Sequence, residues 1–146
     1  MIWANKGDNC LFGDEGNDRI VGAYGDDLIA GGIGDDRMHG GGGDDVFTFC
    51  ENWGKDTVQQ LADGTVTLWF ASGDATNWDE ENLTYADGEN TVTVKGVTAD
   101  QIELKFGSGN TPEDEAQFAS LFAMGAFDAF TSKRIFAEYP AAIAEG

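Results

Sequence analysis

Aspartates stand side by side three times at nine-residue intervals, as Asp26-Asp27, Asp35-Asp36 and Asp44-Asp45, each pair directly after a glycine. Carboxylates in this number and spacing do one kind of chemistry well: they offer hard anionic oxygens to a cation. Without a counter-charge they repel one another. The glycines around them lose more entropy on ordering than any other residue. Either the stretch 22–49 does not fold, or a component absent from the sequence makes it fold.

The rest of the chain narrows what that component can be. Against 27 acidic residues stand 8 basic ones, a formal net charge of −19 over 146 residues. A polyanion repels nucleic acid and anionic membrane surfaces, so cations are the expected partners. No apolar run approaches the roughly 18 residues of a membrane span, and no signal peptide is visible. Ten phenylalanines and 41% hydrophobic residues are not the composition of a disordered tail.

Aligned on its glycines, the N-terminal third is a nonapeptide repeat: GDEGNDRIV (13–21), GAYGDDLIA (22–30), GGIGDDRMH (31–39) and GGGGDDVFT (40–48), preceded by a degenerate ANKGDNCLF (4–12). The fourth position is always glycine: Gly7, Gly16, Gly25, Gly34, Gly43. The sixth runs Asn9, Asp18, Asp27, Asp36, Asp45, and the eighth is apolar throughout: Leu11, Ile20, Ile29, Met38, Phe47. A disordered acidic linker would leave that apolar eighth position without a purpose.

The pattern G-G-x-G-x-D-x-U-x, with U a large apolar residue, resembles the RTX calcium-binding family over residues 1–58. The resemblance implies a mostly β protein, with a right-handed parallel β-roll in which six residues turn and three form a strand. It further implies Ca²⁺ between turns eighteen residues apart, held by sixth-position carboxylates and main-chain carbonyls. Carried over, a first site uses Asn9 and Asp27 with Asn5, Gly7, Gly22 and Tyr24. A second pairs turn 13–18 with 31–36 through Asp18 and Asp36, within Asp14, Gly16, Gly31, Gly32, Ile33 and Gly34. A third pairs 22–27 with 40–45 through Asp27 and Asp45, within Ala23, Gly25, Gly40 and Gly42. A fourth arises because WGKDTV (53–58) resembles the tail of a repeat, with Gly54, Asp56 and Val58 in role. That makes about three to four Ca²⁺. Asn9 brings one charge fewer to the first site. Asp8, Asp26, Asp35 and Asp44 read as a solvated acidic rim.

If the eighth position points inward, alternation sends the seventh and ninth outward. Strands 10–12, 28–30 and 46–48 then show Cys10, Phe12, Leu28, Ala30, Val46 and Thr48 on an apolar face that needs a cover. The other sheet shows Met1, Trp3, Arg19, Val21, Arg37 and His39. Cys10 and Cys50, two strands apart, are separated by roughly 9.5 Å at the usual spacing, beyond the reach of a disulfide.

From Thr57 the period vanishes. Alternating stretches around turn signals such as Asp87-Gly88 read as an antiparallel β cap over 59–110. Trp53, Trp69 and Trp78 read as core packing or, as the rival, a sugar platform. Residues 111–146 read as a short helical C-terminal segment: Thr111 as N-cap, Pro112 at the first position, a stripe of Phe118, Leu121 and Phe122, then turns placing Phe127, Phe130, Ile135 and Phe136 inward. These aromatics are the expected cover.

His39 is the single histidine, and Ser72, Ser108, Ser120 and Ser132 lie in no nucleophile motif, so the chain is expected not to be an enzyme. The expected role is a calcium-dependent folding module from the C-terminal end of a larger bacterial secreted protein. Its upstream domains precede Met1, which starts in mid-coil, and the type I secretion machinery is a further partner. The alternative is a carbohydrate-binding or adhesive module in which Arg19 and Arg37 grip an acidic glycan.

Overall fold

The computed structural model describes residues 2–4, 6–50, 53–61, 64–71, 73–107, 116–117 and the backbone of 134–136. The repeats give very short strands: β1 (Ile2–Trp3), β2 (Cys10–Phe12), β3 (Arg19–Val21), β4 (Leu28–Ala30), β5 (Arg37–Gly41) and β6 (Asp45–Phe49). They are followed by β7 (Lys55–Gln60), β8 (Val66–Phe70), β9 (Trp78–Asp79), β10 (Thr84–Asp87), β11 (Asn90–Lys95), β12 (Ile102–Phe106) and β13 (Arg134–Phe136). The chain steps alternately between two sheets, ordered β1-β3-β5-β7-β11-β10-β9 and β12-β8-β6-β4-β2-β13.

The eighth position builds the core. Ile2, Ile20, Met38, Val58 and Val94 are successive register partners in one sheet. Leu11, Ile29, Phe47, Leu68 and Leu104 are partners in the other. Both ladders face one apolar core. A three-residue strand carries one inward side chain, so no strand is stable alone and each depends on the ladder above and below it.

The expected antiparallel cap is corrected. β7 and β8 add in parallel to β5 and β6, and β11 and β12 add in parallel to β7 and β8. Antiparallel pairing in this region is confined, among the described residues, to β9-β10-β11. Alternation of apolar and polar residues has the same period of two in either direction and cannot encode strand polarity. In place of nine-residue turns, longer connections close this coil around Phe49, Phe70, Tyr85 and Phe106. There Phe70 stacks on Tyr85 at a centroid distance of 4.1 Å and on Phe49 at 5.0 Å.

The outer face of the second sheet is buried at Cys10, Phe12, Leu28, Ala30, Thr48 and Trp69. Residues 116–117 are helical, while the rest of the proposed helical cover at 111–133 lies outside the described residues. Within the expected later helical turns, Arg134–Phe136 is instead a strand, antiparallel to β2. It pairs an edge that would otherwise present free N–H and C=O groups. Both cysteines are free and buried. Cys50 joins the inner core whereas Cys10 sits on the outer face, so the thiols are divided by the sheet itself. Trp53 and Trp69 are buried, with indole N–H groups donating to the carbonyls of Thr91 and Gly107; this is packing, not a platform.

Candidate metal centre

The turns 13–18, 22–27, 31–36 and 40–45 each reverse the chain with left-handed backbone at two positions. The fourth-position glycines Gly7, Gly16, Gly25, Gly34 and Gly43 have φ between +100° and +125°, where a side chain would be strained. The second position is also left-handed, and Asp14 and Ala23 adopt it as non-glycine residues at φ of 65° and 71°.

The turn carries the sixth-position carboxylate inward, where it reaches the turn eighteen residues earlier. Asp27 Oδ1 accepts from the Asn9 N–H at 2.8 Å, Asp36 Oδ1 from Asp18 at 2.7 Å, and Asp45 Oδ1 from Asp27 at 2.8 Å. Asp56 accepts from Asp36 at 2.8 Å, one step of twenty residues later. The three predicted pairs are therefore neighbours, and Asp56 of the fourth predicted site falls beside Asp36; Asn5 lies outside the described residues. Third-position carbonyls of Tyr24, Ile33 and Gly42 accept from the N–H of Gly7, Gly16 and Gly25, which ties the turns into two columns.

The exposed fifth position runs the opposite way. Asp8 Oδ1 accepts from the Asp26 N–H, Asn17 from Asp35, Asp26 from Asp44, and Asp35 from Lys55. The acidic rim is thus a second zipper between turns, reaching up where the sixth position reaches down. Its signal was in the sequence, since the fifth-position polar residue recurs in phase.

One oxygen of each of Asp27, Asp36, Asp45 and Asp56 is spent on a backbone N–H. The other is the candidate ligand. Oδ2 of Asp27 and of Asp56 is buried and meets no hydrogen-bond donor, a costly arrangement for an anion unless a cation faces it. Burial pushes the Asp27 carboxyl up to about 7, Asp45 to about 8 and Asp56 to about 9. Asp8 and Asp26 add to the rise at Asp27. Because these folded values exceed the unfolded value of about 3.9, protonation stabilises the cation-free fold fully at acid pH. That contribution is lost as pH rises through the folded values. At neutral pH a divalent cation and a proton compete for the same oxygens.

The first-position glycines complete the donor set. A Cβ on Gly22 would lie 2.5 Å from Asp27 Oδ2 and 3.0 Å from the Gly40 carbonyl oxygen. On Gly13 it would meet the Gly31 carbonyl oxygen at 2.7 Å and Asp18 Oδ2 at 3.0 Å, and on Gly31 Asp36 Oδ2 at 2.6 Å. A carboxylate oxygen and a carbonyl oxygen from successive turns thus converge where only glycine leaves room. Hard oxygens in a flexible shell of this size suit Ca²⁺, which takes ligands at about 2.3–2.6 Å. Among the described residues no three Asp, Glu, His or Cys side chains converge on one point; a cation held here would have to take most of its oxygens from the main chain.

Gln60 was not legible as a site residue. It is buried, and its side-chain amide donates to Asp45 Oδ2 at 2.7 Å and to the Gly43 carbonyl at 2.9 Å.

Compared with known proteins, residues 1–20 and 12–47 match the RTX calcium-binding nonapeptide repeat in four copies. RTX nonapeptide repeats bind Ca²⁺. No curated protein and no solved structure matches the chain. No helix among the described residues is long and apolar enough to cross a membrane.

Proposed function

We propose that this chain is a calcium-triggered folding module, with residues 1–58 as a calcium-binding β-roll and residues 59–110 as its cap. The observation that carries the reading is the donor-less Oδ2 of Asp27 and Asp56, buried in a chain of net charge −19. In a compartment poor in calcium the turns repel and the chain stays extended, fit for passage through a type I secretion channel. Extracellular modules bind calcium at about 10⁻⁴–10⁻³ M; there, binding energy becomes folding energy. Upstream domains of a secreted parent protein would be ordered behind it, and a folded exterior portion cannot slide back.

Circular dichroism during a calcium titration tests this. The chain gains β signal at millimolar Ca²⁺, loses it with EGTA and does not respond to equal Mg²⁺. The folding midpoint lies at lower calcium at pH 6 than at pH 8, because protons held by the raised carboxyls already stabilise the fold. Equal order after exhaustive chelation at pH 8 ends the proposal.

A second reading, an acidic-glycan contact, is favoured by one feature. A groove of about 330 Å³ on the outer face of the first sheet is lined by Arg19, Arg37, His39, Thr57, Gln59 and Lys95. Arg19 and Arg37 are register partners on adjacent strands, as are Gln59 and Lys95. Burial, then the two arginines, hold the His39 pKa below its ordinary value. Calorimetry with uronate oligomers in constant calcium is expected to show binding by the parent and none by Arg19→Glu/Arg37→Glu with an unchanged folding midpoint. Heat that persists in the double variant, or is absent from the parent, removes this reading.

A further inference from the structure

The two columns of turns do not end alike. Above Asp45 the next register partner is Val66, so the sixth-position acid is missing from the following coil. At the same point β5 and β7 shift register between His39 and Gly41, bringing Gln60 opposite Gly41. Such an irregularity re-aims a side chain. The Gln60 carboxamide enters the space between successive turns. A Cβ on Gly40 would lie 2.0 Å from Gln60 Oε1 and 2.4 Å from Asp45 Oδ2, and a Cβ on Gly64 would lie 2.9 Å from Gln60 Nε2. Beside Gly22, the equivalent glycine one turn earlier, the Asp27 carboxylate and the Gly40 carbonyl converge.

We infer that the Gln60 amide takes the cation's place above Asp45, so that the calcium column closes on an internal hydrogen-bond donor. The inference rests on the calcium reading above and goes beyond it. The amide supplies what an ion would: two N–H groups pointing at a carboxylate and a carbonyl, the same pair of oxygen types that meet beside Gly22. The last acidic turn is thereby joined to β7 with no ion bound. It is the point from which an ordered cap can template the turns below it, one ion at a time. A cation competing for that oxygen pair would have to displace the amide's two buried N–H bonds, while Gln60 Oε1, beside Gly40, is buried with no hydrogen-bond partner.

The test counts ions. The full chain and its Gln60→Glu and Gln60→Ala variants are equilibrated in saturating Ca²⁺, checked for fold by circular dichroism, and the bound calcium per chain is measured by dialysis and elemental analysis. Gln60→Glu replaces the donor with an anion and is expected to hold one more Ca²⁺ than the parent. Gln60→Ala, the deciding variant should Gln60→Glu not fold, is expected to hold at least the parent's number. A folded Gln60→Glu with the parent's count, or a folded Gln60→Ala with one ion fewer, overturns the inference; the second result would make Gln60 Oε1 a calcium ligand. A parent that binds no calcium overturns the calcium reading itself, so the two failures are distinct.

Discussion

Asp27→Ala is expected to raise the calcium midpoint of folding roughly fivefold or more and to lower the number of ions bound. Asp27 occupies the middle of one column: its Oδ1 holds the Asn9 N–H and its own N–H is held by Asp45. Removing the carboxylate leaves the buried Asn9 N–H without its acceptor, which costs about 1–3 kcal/mol, and takes an anionic ligand from the space beside Gly22. Spread over about three cooperatively bound ions, a loss of 3 kcal/mol moves the midpoint about fivefold. The lost ligand adds to that. Asp26→Ala is the matched control, one residue away and exposed. It removes the acceptor for the Asp44 N–H, a group water can serve, and should move the midpoint less than about twofold. Asp27→Asn keeps an acceptor for Asn9 but removes the charge, and so should keep part of the fold's stability while losing calcium count. If Asp27→Ala folded at the parent's calcium concentration with the parent's count, the assignment of the sixth position would be wrong.

What the sequence revealed follows from where a residue's role is local. The fourth-position glycines were legible because a left-handed backbone restricts residue type at one site. The inward ladder was legible because one apolar side chain per nine residues has no other use in so polar a setting. Direction was not legible. The TVTVK of β11 alternates as a hairpin strand would, yet it lies parallel to β7, because a connection long enough to return the chain permits either sense. Nor was Gln60: its role depends on a register shift between strands β5 and β7. Arg134–Phe136 follows the same logic, since what makes it a strand is the open edge of β2, more than a hundred residues earlier. Cys50 fell on the face opposite to Cys10 for a related reason: it comes after the repeat has lost its phase and its side chain turns into the core.

Gly22→Ala is expected to act as if Asp27 had been lost, and Gly16→Ala is not. The two glycines serve different ends. Gly16 has φ of +102° with nothing within 4 Å of a would-be Cβ, so alanine there meets only backbone strain, about 1–3 kcal/mol. Its midpoint should rise while the ion count stays at the parent's value. At Gly22 the Cβ falls 2.5 Å from Asp27 Oδ2 and 3.0 Å from its Cγ, so the carboxylate must leave the place where it meets the Gly40 carbonyl. The ion count should fall with the midpoint's rise. The two effects act on one oxygen and should not add. In an Asp27→Ala background the side chain that alanine would strike is gone, leaving the Gly40 carbonyl oxygen at 3.0 Å as the remaining close neighbour. Gly22→Ala should then cost little beyond the single Asp27 change. Additive midpoint shifts in the double variant, or an unchanged ion count in Gly22→Ala alone, would mean that the glycine serves the backbone and not the cation.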